Sequence, residues 1–330
     1  MYDASRILEV RSATLQTLYS EGTDYFLRDG KLVIPEGSSL PVTTNREFYP
    51  DHVEPGKSFW KKGGGYILFS EGNTLHKRQY VVTYEHQDKW TEPVPEGKLN
   101  QLPALMRKLR ANTPVKILFY GDSITCGYNS SGVTGIEPFL PGWPDLVIEG
   151  MRRTWPAVDF TSVNTAVGGK SSNWGVAEAK ARAADHKPDL AVLAFGMNDG
   201  TGKVAPDTFR DNISKIMNMI QTQNPVCEFI LLSTSVPCKE TLLIKDRQRQ
   251  NGESPTAMDA RSFYGTQEAL LPALESLTGS GVVLADMTTL HRNILKHKRF
   301  RDLSGNNVNH PNDFFARIHA QLLLRTLEEK

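Results

Sequence analysis

Val115-Lys-Ile-Leu-Phe-Tyr-Gly121-Asp122-Ser123-Ile124-Thr125 is a short apolar run that ends abruptly in Gly-Asp-Ser. Its length and lack of alternation fit a strand buried on both faces, as in a parallel sheet. In an open α/β sheet, ligands sit beyond the carboxyl ends of the strands, so a serine delivered there stands where a site is expected. The pattern recurs outward from this stretch. Phe160 to Val163, Leu190 to Phe195, Phe229 to Thr234 and Val282 to Ala285 read as further strands, with amphipathic stretches after or between them. This alternation predicts an α/β domain over residues 114–330, its central parallel sheet covered by helices on both faces.

Upstream the pattern is different. Arg28 to Pro35, Gly65 to Ser70 and Gln79 to Tyr84 alternate apolar with polar residues and read as strands, separated by loop chemistry at Asp29-Gly30, Glu36-Gly-Ser-Ser and Gly63-Gly64-Gly65. No helical spacing of useful length precedes residue 98, and residues 1–97 are expected to form a β-sandwich-like accessory domain. Thr91-Glu-Pro-Val-Pro-Glu-Gly97 is stiff and polar, after which Leu99, Leu102, Leu105, Met106 and Leu109 recur at helical spacing. Residues 98–113 are therefore a linker and helix.

The chain has 330 residues, enough for two domains, and its 39% hydrophobic and 23% charged residues are those of a folded globular protein. Thirty-eight basic against thirty-seven acidic side chains leave a net charge of +1, so no whole-protein field favours nucleic acid or an anionic membrane. No apolar run approaches the ~20 residues of a membrane span, and the chain is expected to be soluble. The first residues, Met1 to Arg6, lack the order of a signal peptide. If an export signal has been removed the protein is secreted or periplasmic, otherwise cytoplasmic. Cys126, Cys227 and Cys238 form no C-x-x-C pair and are expected as free thiols rather than a disulfide framework or structural zinc site.

Chemistry gathers in four segments. Ser123 is a candidate nucleophile, though Gly-Asp-Ser alone is also an ordinary turn. Asn164-Thr-Ala-Val-Gly168-Gly169 follows a strand, and its glycines let backbone N–H groups approach a ligand. Gly196-Met197-Asn198-Asp199 has the same strand-end position and adds an amide able to donate to an oxyanion. Asn306-Asn307-Val308-Asn309-His310-Pro311 leads into a helix and puts His310, alone of the histidines, at a loop-to-helix junction.

In this order the four segments resemble the blocks of the SGNH/GDSL hydrolase superfamily: Gly-Asp-Ser, an Asn followed five residues on by Gly, Gly-x-Asn-Asp, and Asp-x-x-His. The resemblance covers about residues 115–330. It implies a flavodoxin-like hydrolase domain. The preceding β-rich part looks, more loosely, like the arrangement in two-domain carbohydrate acetyl esterases. Carried over position by position, the resemblance makes Ser123 the nucleophile and His310 its general base. The oxyanion hole becomes the N–H groups of Ser123 and Gly169 with the side-chain amide of Asn198.

The chain departs from the family pattern at position 307, where Asn stands three residues before the histidine in place of the aspartate. Asn307 can still accept a ring N–H and is the candidate orienter of His310. The resemblance equally implies a Ser-His dyad oriented by a backbone carbonyl, as in some carbohydrate esterases of the superfamily, and a shifted carboxylate from Asp302 or Asp313 is the alternative. Trp174 is a candidate substrate-facing aromatic, and Trp143 and Tyr128 share its position after the blocks. Gly127-Tyr-Asn-Ser-Ser-Gly132 lacks the Lys of a phosphate loop, and no dinucleotide fingerprint follows a strand.

The function that this resemblance implies is a serine esterase removing O-acetyl groups from a carbohydrate, similar to an acetyl xylan esterase, with no cofactor or metal required. The alternatives are a lipase- or thioesterase-type enzyme of the same superfamily, or a carbohydrate-binding protein with a degenerate site. The N-terminal part could itself bind polysaccharide.

Overall fold

The computed structural model describes residues 2–52, 57–244 and 260–330. The N-terminal part contains β1 (Arg6–Ser12), β2 (Leu18–Tyr19), β3 (Phe26–Arg28), β4 (Lys31–Val33), α1 (Asn45–Phe48), β5 (Ser58–Lys61), β6 (Tyr66–Leu68) and β7 (Tyr80–Glu85). After it come α2 (Pro103–Arg110), β8 (Val115–Gly121), α3 (Trp143–Thr154), β9 (Phe160–Asn164), α4 (Ser172–Arg182), β10 (Leu190–Ala194), α5 (Met197–Thr201) and α6 (Pro206–Gln223). The remaining elements are β11 (Glu228–Leu232), β12 (Thr241–Ile244), β13 (Ala260–Ser262), α7 (Leu271–Glu275), β14 (Val282–Ala285), α8 (Met287–Ile294) and α9 (Asp313–Thr326).

The five strands expected from the sequence form one parallel sheet in the order β14-β11-β10-β8-β9. Read from the other edge this is the doubly wound 2-1-3-4-5 order of flavodoxin-like folds, with the winding reversing beside β8. Alternation along each strand feeds two cores. Ile117 and Phe119 of β8 and Leu190 and Val192 of β10 face a core completed by Leu105, Val147, Met151, Phe315 and Leu323. Leu118, Tyr120, Ala191 and Leu193 face the opposite core, completed by Phe209, Ile213, Ile216 and Ile220 of α6. Strands buried on both faces gain apolar burial from every residue, which is why they read as continuous apolar runs.

The N-terminal part is antiparallel, as its alternation predicts. Strands β2-β1-β7 form one sheet and β3-β4 a hairpin, around a small core of Ile7, Val10, Tyr19, Tyr25 and Leu40. The one-turn helix α1, closed by a Thr44–Glu47 capping box, is too short to show helical spacing. Strands β5 and β6 join a four-stranded sheet with β12 and β13, in the order β13-β12-β5-β6, so this sheet draws on both parts of the chain. Beneath it Phe48, Phe59, Ile67 and Phe69 pack with Cys238 and Val308, bringing the segment around β6 against the loop that precedes α9.

Candidate active site

Strand β8 ends at Gly121, where a Cβ would meet the Ala194 carbonyl oxygen at 2.4 Å and Thr125 Oγ1 at 2.5 Å, so only glycine fits. The chain then turns and presents Ser123. The loop before α9 is braced by a bridge between Ser304 and Pro311 and by Asn306 Oδ1, which accepts the His310 N–H at 3.0 Å. It brings His310 Nε2 to 2.9 Å from Ser123 Oγ, with both residues buried.

The far side of the ring fixes its tautomer. His310 Nδ1 lies 2.8 Å from Asn129 Oδ1 and 2.9 Å from Glu71 Oε2. The Asn129 amide cannot be turned round. Its Nδ2 donates to the carbonyls of Ser70, Gly72 and Gly305 at 3.4, 3.2 and 3.3 Å, which leaves the oxygen facing the ring. Both neighbours of Nδ1 are therefore acceptors, Nδ1 carries the proton, and bare Nε2 accepts from the Ser123 hydroxyl. That is the tautomer a general base requires.

Donors surround the same serine. Among the described residues neither the Ser123 nor the Gly169 N–H finds an acceptor, and Gly169 has a φ of 74°, a conformation glycine adopts freely. Asn198 gives one amide hydrogen to the Lys170 carbonyl at 3.0 Å and keeps the other for the cleft it lines. Asp199 ties the two loops together by accepting from the Ser172 N–H at 2.9 Å and from the Ser172 hydroxyl. Burial raises the Asp199 carboxyl above the usual range, opposed by those Ser172 bonds. Asp122, fully enclosed behind Ser123, is pushed up to about 7 by burial and, less strongly, by the nearby Asp199 charge, against the pull of the Ile124 N–H.

Ser123, His310, Gly169 and Asn198 all open onto one cleft of about 680 Å³. Tyr128, edge-on to the His310 ring at 5.5 Å, belongs to the same wall. The opposite wall comes from the segment around β6, with Phe59, Phe69, Glu71, Gly72, Asn73 and Thr74.

Two expectations are corrected. Asn307 does not orient His310: its backbone sits at φ 63°, and its side chain points the other way, with Nδ2 donating to the Leu68 carbonyl at 2.9 Å. Trp174 is not part of the cleft. It packs on the α6 side of the sheet against Tyr120, with the Lys170 and Arg182 cations over its ring at 5.7 and 5.2 Å. The shifted carboxylates are engaged elsewhere. Asp313 accepts the Ser131 N–H at 2.8 Å at the start of α9, and exposed Asp302 accepts the Arg299 N–H at 3.2 Å. The residues that do face His310 Nδ1 are Asn129 and Glu71. Asn129 lies in the loop directly after Ser123, where the two glycines of Gly127–Gly132 mark a tight path but nothing marks the amide. Glu71 has no signal in the sequence, being one acid in a polar turn far from the four blocks.

Comparison with known proteins agrees with this architecture. The model of the GDSL-like lipase/acylhydrolase family matches residues 119–318. An arylesterase of Vibrio mimicus is 26% identical over 122 residues, covering 37% of this chain and 56% of that protein. Esterase TesA of Pseudomonas aeruginosa is 28% identical over 121 residues, covering 37% of this chain and 55% of that protein. The chain thus spans about half the length of the curated relatives it matches. Among solved structures, a two-domain esterase active on acetylated mannans, co-crystallised with mannopentaose, superimposes with a TM-score of 0.51 at 22% identity. That superposition covers 71% of this chain and 54% of the esterase, and at such identity it shows a shared fold. The fold, the four sequence blocks and a family match across most of the α/β part lead to one conclusion: the chain belongs to the GDSL-like lipase/acylhydrolase family.

Proposed function

We propose that this protein is a serine esterase that removes O-acetyl groups from a carbohydrate. The observation that carries the proposal is the 2.9 Å contact between Ser123 Oγ and His310 Nε2, with two acceptor oxygens on the far side of the ring at Nδ1. Ser123 Oγ attacks the acetyl carbonyl carbon while its proton passes to Nε2. The carbonyl oxygen takes up negative charge and is met by the Ser123 and Gly169 N–H groups and by Asn198 Nδ2. As the intermediate collapses, the bond to the sugar oxygen breaks and the imidazolium returns its proton to that oxygen. Water then adds to the acyl-serine, gives a proton to Nε2 and releases acetate with Ser123 restored. Every step is proton transfer and acyl transfer, for which the chain's own groups suffice.

The carbohydrate assignment is supported by the fold shared with an esterase active on acetylated mannans and by the size of the cleft, about 680 Å³, within the range of pockets that enclose a small ligand. Tyr128, exposed on its wall of the cleft, offers a face for a sugar ring, above a floor that the buried Phe59 and Phe69 make apolar. The same surfaces favour a second reading, hydrolysis of aryl or thioesters, in keeping with the relatives named arylesterase and esterase. Hydrolysis of p-nitrophenyl acetate should fall by at least about 10⁴-fold in Ser123→Ala. Acetate release from acetylated mannan or xylan should exceed the release of longer acyl chains from aryl esters. Preference for the longer chains would select the second reading, and no turnover by wild type or variant would leave a carbohydrate-binding protein.

A further inference from the structure

We propose that Glu71, supplied by the N-terminal part of the chain, replaces the missing aspartate of the hydrolase triad as the carboxylate that positions and charge-stabilises His310. The inference rests on the esterase reading above and adds to it a residue outside the four family blocks.

Position 307, where the family's acid stands, holds an amide, and its change of chemistry has changed its use. An asparagine can donate where an aspartate cannot, and Asn307 Nδ2 holds the Leu68 carbonyl at the end of β6. Three residues further on, Glu71 Oε2 lies 2.9 Å from His310 Nδ1. The segment between is held at both ends of the glutamate. The Ser70 and Gly72 carbonyls, on either side of Glu71, accept from Asn129 Nδ2, and Glu71 Oε1 accepts from Asn306 Nδ2 at 3.3 Å. Three asparagines thus fix the backbone and the carboxylate of one acid against one histidine. A loose surface glutamate would need none of them.

Asn129 and Glu71 share the single Nδ1 proton and divide the work. Buried Asn129 alone suffices to keep the tautomer, because its oxygen accepts the proton whether or not a carboxylate is present. A neutral amide gives the imidazolium no counter-charge. Glu71 does, and its contact is a charge-assisted hydrogen bond when the ring accepts the serine proton. The Glu71 side chain is 52% exposed where it borders the cleft, so a bound substrate would cover it, and a small carboxylate from solution could take its place once it is removed.

The test uses the full chain and p-nitrophenyl acetate. Glu71→Gln should lower kcat by about 10- to 100-fold with KM nearly unchanged, the size of losing a charge-assisted bond while the tautomer survives. Glu71→Ala should lose a similar factor and recover part of it in added formate, whereas Ser123→Ala should not respond to formate. A KM effect without a kcat effect would make Glu71 a substrate contact and overturn the proposal, as would failure of formate to restore any rate. A second measurement is independent of substrate. The Nδ1 proton of His310 should give a far-downfield proton resonance in the wild type, absent in His310→Ala and moved upfield in Glu71→Gln as a neutral acceptor takes over. If Ser123 proves dispensable for ester hydrolysis, the functional reading fails while this resonance still decides for or against Glu71. An unchanged resonance in Glu71→Gln would overturn the proposal.

Discussion

The two walls of the cleft are built on different principles. One wall is the carboxyl edge of a parallel sheet, where Ser123, Gly169 and Asn198 follow β8, β9 and β10 beside glycines, Gly121, Gly169 and Gly196, that a close contact or a positive φ requires. The other is strand β5 and the turn after β6, where Phe59, Phe69 and Glu71 are held by packing and by side-chain amides from distant parts of the chain. The first wall is local in sequence and general to the fold. The second is assembled only when the chain is complete, and it gives this protein its own features.

If that division is right, the walls should fail differently. The largest effect is expected on the sheet-end wall. Asn198→Ala should lower kcat on p-nitrophenyl acetate by about 10² to 10³ with little change in KM, because in the proposed mechanism its amide would meet the oxyanion more strongly than the ground-state carbonyl. A KM effect of that size instead would put Asn198 among the binding residues and blur the distinction.

On the other wall, Phe69→Ala should act through stability and binding. Phe69 meets Phe59 edge-on at 4.5 Å within a small cluster, and its truncation should cost about 3 kcal/mol, read from the denaturant midpoint. Its surviving activity should show a raised KM. Loss of kcat equal to that of Asn198→Ala, in protein shown to be folded, would break the comparison.

Asn307→Asp is a sharper probe, since it restores the family's residue at that position. The aspartate cannot donate to the Leu68 carbonyl and would be buried without that bond, so stability should fall by about 1–3 kcal/mol and activity should not rise. A gain in kcat would mean that position 307 can still serve His310 directly.

The smallest effect concerns acid. His291 and His319 are enclosed in the helical layer behind the sheet-end wall. Burial brings His291 down to about 3, with the His319 charge adding to it, and brings His319 down to about 4 despite its bond to the Phe315 carbonyl. The unfolded chain therefore binds more protons than the folded one below about pH 6.5, so stability is full above that pH and is lost as pH falls toward 4 and 3. His319→Gln should move the midpoint of acid unfolding, followed by circular dichroism, to lower pH. An unmoved or raised midpoint would place the acid-sensitive groups elsewhere.

What could be read in advance follows the same division. Four of the five strands, β8, β10, β11 and β14, were legible because burial on both faces demands apolar runs, whereas the edge strand β9, Phe-Thr-Ser-Val-Asn, is half polar and largely exposed. Ser123, the paired glycines and Asn198 were read as candidates from their places just past apolar strands, and the fold brings Ser123, Gly169 and Asn198 to one cleft. His310 was legible by its place before α9. Its orienters were not. Asn307 had the right spacing but the wrong direction, and Trp174 the right neighbourhood but the wrong side of the sheet. Strands β12 and β13 escaped notice: β12 pairs with β5, far upstream in the chain, and β13 pairs with β12 in turn.

The sequence by itself determined the parallel sheet, the antiparallel N-terminal strands and the order of the four blocks, since each depends on residues close together in the chain. Only the tertiary structure decided which groups face His310 Nδ1 and which segment closes the cleft. Those depend on contacts such as Glu71 with His310 and Asn307 with Leu68, made between residues more than two hundred positions apart, and no local pattern of propensity or spacing records such a contact.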